Sequence, residues 1–339
     1  MTVTLVTGVG GFIGASVASR LLAQGREVIG IDNLNDYYDV RLKEHRLESL
    51  RTQKGFVFKK IDIADHDAMS SLASTLKGAP IVHLAAQAGV RYSIDHPHAY
   101  VASNLVGFAN VAELARHAGS SHLVYASTSS VYGLNSKRPF VETHLTRQPL
   151  NLYAATKVAN ESIAHSYSHL FGVPSSGLRF FTVYGPAGRP DMSPFIFARK
   201  IMRGETIQLF DHGNGVRDYT YIDDIVDGII AVLDRPARPD ASFDSNAPVA
   251  DRSTAPFRVF NIGSGNPIVV REYLSLLSKA LGKQAHIENL PPQSGDMEAT
   301  HADTSALRDA TGWQPRITLA EGTERLAVWC RAHESLLGA

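Results

Sequence analysis

The sequence predicts an α/β fold: a doubly wound parallel sheet with a smaller, sequence-interleaved substrate domain towards the C-terminus. Three observations predict it. Short β-rich runs alternate with amphipathic stretches of helical length through the first half of the chain. Several of those runs are apolar on both faces, as strands must be in a parallel sheet covered by helices on each side. After Gly185 the alternation breaks into the Pro- and Gly-rich mixture "GPAGRPDMSP", which marks the entry to a second unit.

Taken in order, the strands are "VTLVTG", "EVIGID", "FVFKKID", "PIVHLA", "HLVYAS" and "LRFFTV", with helices between them. Gly25 closes the first helix, Pro97 suits a first helical position, and Gly119 and Gly172 follow the ends of two more. Beyond Gly185 come a helix, a short strand "IQLF", then "RDYTYIDD" leading into another helix, and later the strand "FRVFNIG". The expected division gives residues 1–185 to a dinucleotide-binding domain, with 216–235 and 256–263 returning to it. Residues 186–215 and 264–339 then form the substrate domain. Residues 236–255, rich in Pro, Ala, Asp and Ser without periodicity, read as a mobile surface loop.

Composition narrows the function classes. Of 339 residues 44% are hydrophobic and 19% charged, enough for a substantial core. Lys plus Arg (33) balances Asp plus Glu (33), so no net charge draws the chain to nucleic acid or an anionic membrane, and small molecules are the expected partners. The single cysteine, Cys330, excludes an intramolecular disulfide and a cysteine-rich metal site. No stretch approaches the roughly 18 apolar residues that span a bilayer, and the first strand begins at about Val3 with no charged leader. A soluble, cytoplasmic protein is expected.

The end of the first strand carries "TGVGGFIG", with Gly8, Gly11 and Gly14 and the apolar Phe12 and Ile13 packing inward. Glycines let the backbone turn tightly and approach a pyrophosphate, which the free N–H groups of a helix N-terminus meet. Alone such a turn is weak evidence, because glycine also ends strands for steric reasons. Asp32, closing the second strand, raises its weight: a carboxylate there accepts hydrogen bonds from an adenosine ribose and repels a 2′-phosphate, which favours NAD over NADP. Asp62 and Ile63 follow the third strand and are placed beside the adenine, with a helix cap shared with Asp65 as an equal reading of Asp62. Leu84, Ala85 and Ala86 in "HLAAQAG" are small where a cofactor passes close to backbone.

Tyr153 and Lys157 in "YAATK" stand four apart and share one helix face. An ammonium near a phenol stabilises phenolate and makes a general base for an alcohol proton. Upstream lies "STSSVYG", four hydroxyl side chains at a strand end, where ordinary turn chemistry is the plainer account. His165 and His169 have a metal-ligand spacing but no acidic partner in place, so no metal is expected.

Together "TGVGGFIG", "HLAAQAG", "STSSVYG" and "YAATK" resemble the extended short-chain dehydrogenase/reductase family, in its nucleotide-sugar epimerase and dehydratase branch, over essentially the whole chain. The longer strings "GIDNLNDYYDVRLKEHRL", "AAQAGVRYSIDHPHAYVASNLVGF" and "GLRFFTVYGPAGRPDMSPFIF" resemble UDP-glucuronate 4-epimerases. The resemblance implies a Rossmann domain binding NAD, a UDP-uronic acid substrate, and Thr128, Tyr153 and Lys157 as the catalytic set. Tyr153 would take the proton of the sugar 4-hydroxyl, Thr128 would bond the same oxygen, and Lys157 would depress the phenol while holding the nicotinamide ribose.

Related dehydratases carry acidic residues in strings such as "TDEVYG", and decarboxylating relatives carry Glu immediately before "VYG". Ser129 and Ser130 stand there instead, which disfavours elimination. Thr182 occupies a position that is typically Asn in UDP-galactose 4-epimerases. We expect Thr128, Ser129, Ser130 and Thr182 to receive the substrate carboxylate, with Ser127 supporting the turn. The resemblance further implies that Arg217 contacts the diphosphate, that Arg189 lies where substrate approaches, and that Asp296 binds ribose, although Ser294 replaces an Arg common in relatives. Arg91 and Ser93 are candidates for reaching the sugar, or for a loop bonded to its own backbone. Helices near His98 to His117 and Leu152 to Phe171 resemble those that pair subunits in this family, which implies a homodimer.

Overall fold

The structure is a computed structural model, and it describes residues 3–292 and 297–338. Seven strands form one parallel sheet: β1 (Thr4–Thr7), β2 (Val28–Asp32), β3 (Phe56–Lys60), β4 (Ile81–His83), β5 (Leu123–Thr128), β6 (Ser175–Phe180) and β10 (Phe257–Ile262). Their order is β10-β6-β5-β4-β1-β2-β3. The chain runs outwards from β1 to β3 and then crosses back to β4 on the other side of β1. That reversal leaves a crevice beyond the carboxyl ends of β1 and β4, the place where open α/β sheets bind ligands.

The apolar runs pack on both sides of the sheet. Leu5, Ile29, Ile81 and Leu123 face one layer, with Phe108, Val111 and Leu114 from the Gly107–His117 helix. Val6, Val28, Val82 and Val124 face the other, with Val17 and Leu21 from the Phe12–Ala23 helix and Ile225 and Ile229 from the Ile222–Leu233 helix. Neighbouring residues of one strand point to opposite faces, so a doubly covered strand must be apolar throughout.

The second unit contains β7 (Thr182–Tyr184), β8 (Thr206–Phe210), β9 (Val216–Tyr221), β11 (Pro267–Val269) and β12 (His286–Leu290). β11, β9 and β7 make a three-stranded sheet, and β12 pairs with β8. Helices Ser193–Arg203, Val270–Leu281 and Leu319–Ala332 pack around Tyr184, Tyr219 and Tyr273, whose rings contact one another. Cys330 is buried in this core, which pushes its thiol up to about 12.

Four sequence expectations change here. Of 216–235, the strand Val216–Tyr221 joins the small sheet and only the following helix packs on the Rossmann layer, because the run after Asn214 pairs with β7 and β11. "LRFFTV" divides at Phe181 into β6 and β7, so one apolar run serves two sheets. The stretch from His98 to His117 is not uniformly α-helical: Val101–Val106 is a π-helical turn between Pro97–Tyr100 and Gly107–His117. Residues 236–255 contain no helix or strand, yet their far end is pinned. Arg252 pairs with Asp240 at 2.9 Å and Asp251 at 3.0 Å, and His165 meets the Ser253 hydroxyl at 2.9 Å. That contact uses one of the two spaced histidines; their rings stack 6.4 Å apart.

Candidate active site

The glycine loop between β1 and the Phe12–Ala23 helix builds the first wall of the cleft. Gly8 has φ +72, and a Cβ on it would stand 2.7 Å from the Ala85 nitrogen. A Cβ on Gly14 would fall 2.1 Å from the Gly8 carbonyl oxygen, so the helix reaches the strand only because that position is glycine. The helix has Gly11 at its N-cap and no side-chain cap, which leaves its first N–H groups without partners from a capping side chain. Such donors, together with the helix dipole, fit a pyrophosphate.

Asp32 closes β2 and orders the loop: its Oδ2 accepts from the Gly10 N–H at 3.0 Å and its Oδ1 from the Leu34 N–H at 2.8 Å. Each oxygen keeps a lone pair for a ribose hydroxyl. Gly8, Gly11, Phe12, Ile13, Gly14, Asp32, Ile63, Leu84, Ala85, Ala86, Tyr153 and Lys157 all line one cleft. Asp62 is exposed, between the lining residues Ile61 and Ile63. Its Oδ1 accepts from the Ala64 N–H at 2.8 Å and its Oδ2 from the Asn33 side chain at 2.9 Å, while Asp65 caps the next helix through the Ala68 N–H.

The second wall is the Leu152–Phe171 helix, started by the Asn151 side chain accepting from the Ala154 N–H and ended at Gly172 in the left-handed region. It presents Tyr153 and Lys157 to the cleft. Lys157 is 2% exposed, and its ammonium donates to the Ala126 carbonyl at 3.0 Å and is pushed down to about 8 by burial. Burial raises the Tyr153 phenol; the charge of Arg189 and a hydrogen bond with Thr128 oppose that rise. The resemblance implied that Lys157 does this. Lys157 lines the same cleft and donates to Ala126, and the charge of Arg189 also acts to lower the phenol.

β5 and the short 3-10 turn Ser129–Tyr132 carry the hydroxyl tract. Thr128 Oγ1 accepts from the Ser130 N–H at 3.2 Å and lies 3.3 Å from Ser130 Oγ. Thr128, Ser129, Ser130 and Thr182 all face the cleft, as does Arg189, whose Nε donates to Asp191 at 3.0 Å. Tyr37 donates to the same carboxylate at 3.0 Å from the other domain.

Other expected substrate residues lie off the lining. Ser93 is buried and donates to the Val90 carbonyl at 2.6 Å, bonded to its own loop. Arg91 stacks 5.1 Å over the Phe210 ring. Arg217 on β9 donates to the Val216 carbonyl at 2.9 Å and the Glu298 carbonyl at 3.2 Å. Asp296 lies outside the described residues.

Two groups of residues escaped the sequence reading. Asn104, on the π-helical turn, accepts from the Gln87 N–H at 2.8 Å and donates to the Gln87 carbonyl and Thr156 Oγ1, each at 3.0 Å. It fastens the loop after β4 to the catalytic helix. Lys43, 5% exposed, lines the cleft beside Asp32 and donates at 2.7 Å to both oxygens of Asn35. Neither belongs to a short motif; each is brought in by a helix crossing a distant loop.

Comparison with known proteins agrees with this architecture. Residues 4–263 match the model of the NAD dependent epimerase/dehydratase family. A probable UDP-glucuronate 4-epimerase of Rhizobium meliloti (strain 1021) is 43% identical over 331 residues, 96% of this chain and 96% of that protein. The crystal structure of UDP-glucuronic acid 4-epimerase from Bacillus cereus, in complex with UDP-glucuronic acid and NAD, superposes with a TM-score of 0.86. It is 30% identical and covers 98% of this chain and 99% of its own. A UDP-glucose 4-epimerase of Thermotoga maritima, solved with UDP-glucose, gives a TM-score of 0.83 at 28% identity, over 99% and 100% of the two chains.

Proposed function

The chain belongs to the NAD dependent epimerase/dehydratase family, and within it we propose a UDP-glucuronate 4-epimerase that interconverts UDP-glucuronate and UDP-galacturonate with NAD. The observation that carries this reading is the cleft itself. It puts the phenol of Tyr153, the ammonium of Lys157 and a tract of hydroxyls ending in Ser129 and Ser130, with no carboxylate in that tract, beside a glycine loop that fits a pyrophosphate.

In this reading Tyr153, as phenolate, accepts the proton of the sugar 4-hydroxyl while Thr128 Oγ1 holds the same oxygen. NAD, when bound, supplies the hydride acceptor at carbon 4 and the hydride donor for the return. The sugar becomes a 4-ketone, turns over about its phosphate link, and regains its proton from Tyr153 once the opposite face is presented. Arg189 holds positive charge near the phenol, which favours the ionised form against the cost of burial, while Lys157, donating to Ala126, is the ammonium that the resemblance assigns to the nicotinamide ribose.

The 4-keto uronic acid is a β-keto carboxylate, prone to lose carbon dioxide when the breaking bond aligns with the ketone. Donors on the carboxylate oppose that loss, because charge leaves those oxygens on the way to carbon dioxide. Thr128, Ser129, Ser130 and Thr182 are the groups we assign to this task. Arg217 and Asp296 keep the nucleotide roles that the resemblance implies.

A homodimer is part of the same proposal. Ile94, Val101 and Val106, 70%, 40% and 46% exposed, give the region around the π-helical turn an apolar outer face of the kind that pairs subunits. Among the described residues no helix is long and apolar enough to cross a membrane. Both ligands are charged metabolites of the cytoplasm, where we place the enzyme.

The test is one incubation with UDP-glucuronate, followed by NMR of the mixture. We expect UDP-galacturonate with carbon 6 retained and no net consumption of NAD. A UDP-pentose with release of carbon dioxide would make the protein a decarboxylase; turnover of UDP-glucose alone would make it an epimerase of neutral sugars.

A further inference from the structure

Arg46, on the Val40–Arg51 helix, is 5% exposed, and its hydrogen-bond partners are backbone carbonyls and one phenol. Its Nη1 donates to the Gly10 carbonyl at 2.9 Å and the Tyr38 hydroxyl at 2.8 Å. Its Nε and Nη2 donate to the Ala187 carbonyl at 3.0 and 2.8 Å, and Nη2 also donates to the Gly188 carbonyl at 3.0 Å. These five bonds account for the five N–H groups of a guanidinium. Every acceptor is neutral, and among the described residues no carboxylate pairs with Arg46. A buried cation of this kind is costly unless something else in the protein or its ligands compensates it.

The two loops it joins form two walls of the cleft besides the Leu152–Phe171 helix, one carrying Gly8 and Gly11 and the other Arg189. On one side is Gly10, whose N–H is held by Asp32 and whose carbonyl is held by Arg46, so the residue is fixed through both of its backbone polar groups. On the other is Ala187, at φ +53 in the left-handed region that disfavours side chains, followed at once by Gly188 and the cleft residue Arg189. Three of the five bonds go to this turn. Strain of this sort persists only where surrounding contacts over-determine it.

We propose that Arg46 is a positioning residue that couples the two walls, so that a dinucleotide on the glycine loop and a nucleoside diphosphate beside the 187–189 turn bind cooperatively. If either loop shifts, the guanidinium loses acceptors while it stays buried; a ligand that holds one loop therefore also holds the other. Both ligands are anions, and each adds to the partial offset that the Asp32 charge already gives this cation. The inference rests on the reading of the cleft as the shared NAD and UDP-sugar site.

The experiment measures the dissociation constant of NAD with and without saturating UDP, for the parent protein and for Arg46→Met, Arg46→Lys and Tyr38→Phe. We expect UDP to tighten NAD about fivefold or more in the parent, within the range usual for coupled sites. The ratio falls to near one in Arg46→Met and to an intermediate value in Arg46→Lys. It is unchanged in Tyr38→Phe, which loses the one acceptor outside the glycine loop and the 187–189 turn while keeping the ring that lines the cleft. A parent that binds both ligands independently, or a ratio that survives in both Arg46 variants, overturns the inference. Should Arg46→Met fail to fold, Arg46→Lys decides: a ratio equal to the parent's overturns the inference. Loss of the ratio in Tyr38→Phe would move the coupling to the loop before the helix and also overturn it. A parent that binds neither NAD nor UDP sinks the reading of the cleft itself.

Discussion

Ser127 donates a 2.5 Å hydrogen bond to Glu161, one helical turn beyond Lys157. The first hydroxyl of the tract is thereby tied to the catalytic helix. Glu161 in turn holds Arg179 of β6 through both oxygens, at 2.9 and 2.8 Å, and Arg179 is fully buried. Ser127, Glu161 and Arg179 link β5, the catalytic helix and β6 directly beneath the site.

Removal of Glu161 leaves that guanidinium buried without its anion. Glu161→Leu is therefore expected to cost about 3 kcal/mol or more in urea unfolding, and the double change Glu161→Leu with Arg179→Met to recover much of it. Equal losses in the single and double variants would show that the pair does not act as a unit.

Tyr153→Phe removes the group we propose as acceptor of the 4-hydroxyl proton but keeps the ring packed 6.2 Å from Tyr100. We expect kcat to fall by about 10²–10⁴ with KM changed little, the range for loss of a general base. A variant within tenfold of the parent would leave Tyr153 as a binding residue only.

Lys157 ties function to stability. Its folded-state value, about 8, lies below its ordinary 10.5, so between those pH values the unfolded chain binds more protons and stability rises with pH. Below pH 8 the native state carries the full penalty of a buried ammonium. Lys157→Met is expected to lose activity yet to unfold later than the parent at pH 7 in the absence of ligands, by up to about 3 kcal/mol. The gap should narrow as the pH is raised from 8 towards 10.5; a constant gap would mean that packing, not charge, sets the difference.

Carboxylate retention is tested by Thr128→Ala, Ser129→Ala and Thr182→Ala, made one at a time. Each removes one hydroxyl from the cleft lining. Carbon dioxide released per epimerisation should rise in at least one of them, because an unheld carboxylate rotates into alignment with the ketone. No rise in any variant would refute the assignment.

Asp32→Ser keeps a short polar group but drops one of the two carboxylate oxygens that order Gly10 and Leu34. NAD should bind about tenfold or more weakly, since bonds to a charged acceptor contribute about 1.5–3 kcal/mol each. The preference for NAD over NADP should shrink at the same time. Unchanged discrimination measured by calorimetry would place the ribose elsewhere.

Much of this was legible in the chain because the physics is local. A glycine loop needs glycines at fixed offsets, as the contacts of Gly8 and Gly14 demonstrate, and a helix puts residues four apart on one face, as with Tyr153 and Lys157. Strands buried on two faces must be apolar throughout, which exposed the parallel sheet. Asp62 was legible only as far as its two readings, and its side chain serves Asn33 and the turn at Ala64.

By itself the sequence determined the alternation of strands and helices, the glycine turn and the Tyr153–Lys157 pair on one helix face, since each depends on residues within one or two turns of backbone. Only the tertiary structure decided that β9 belongs to the small sheet, that Lys157 donates to Ala126 while Arg189 acts on the phenol, and that Arg46 joins Gly10 to Ala187. These relations bring together segments far apart in the chain. Where a long side chain ends is set by the acceptors that folding places around it, and no periodicity in the sequence records them.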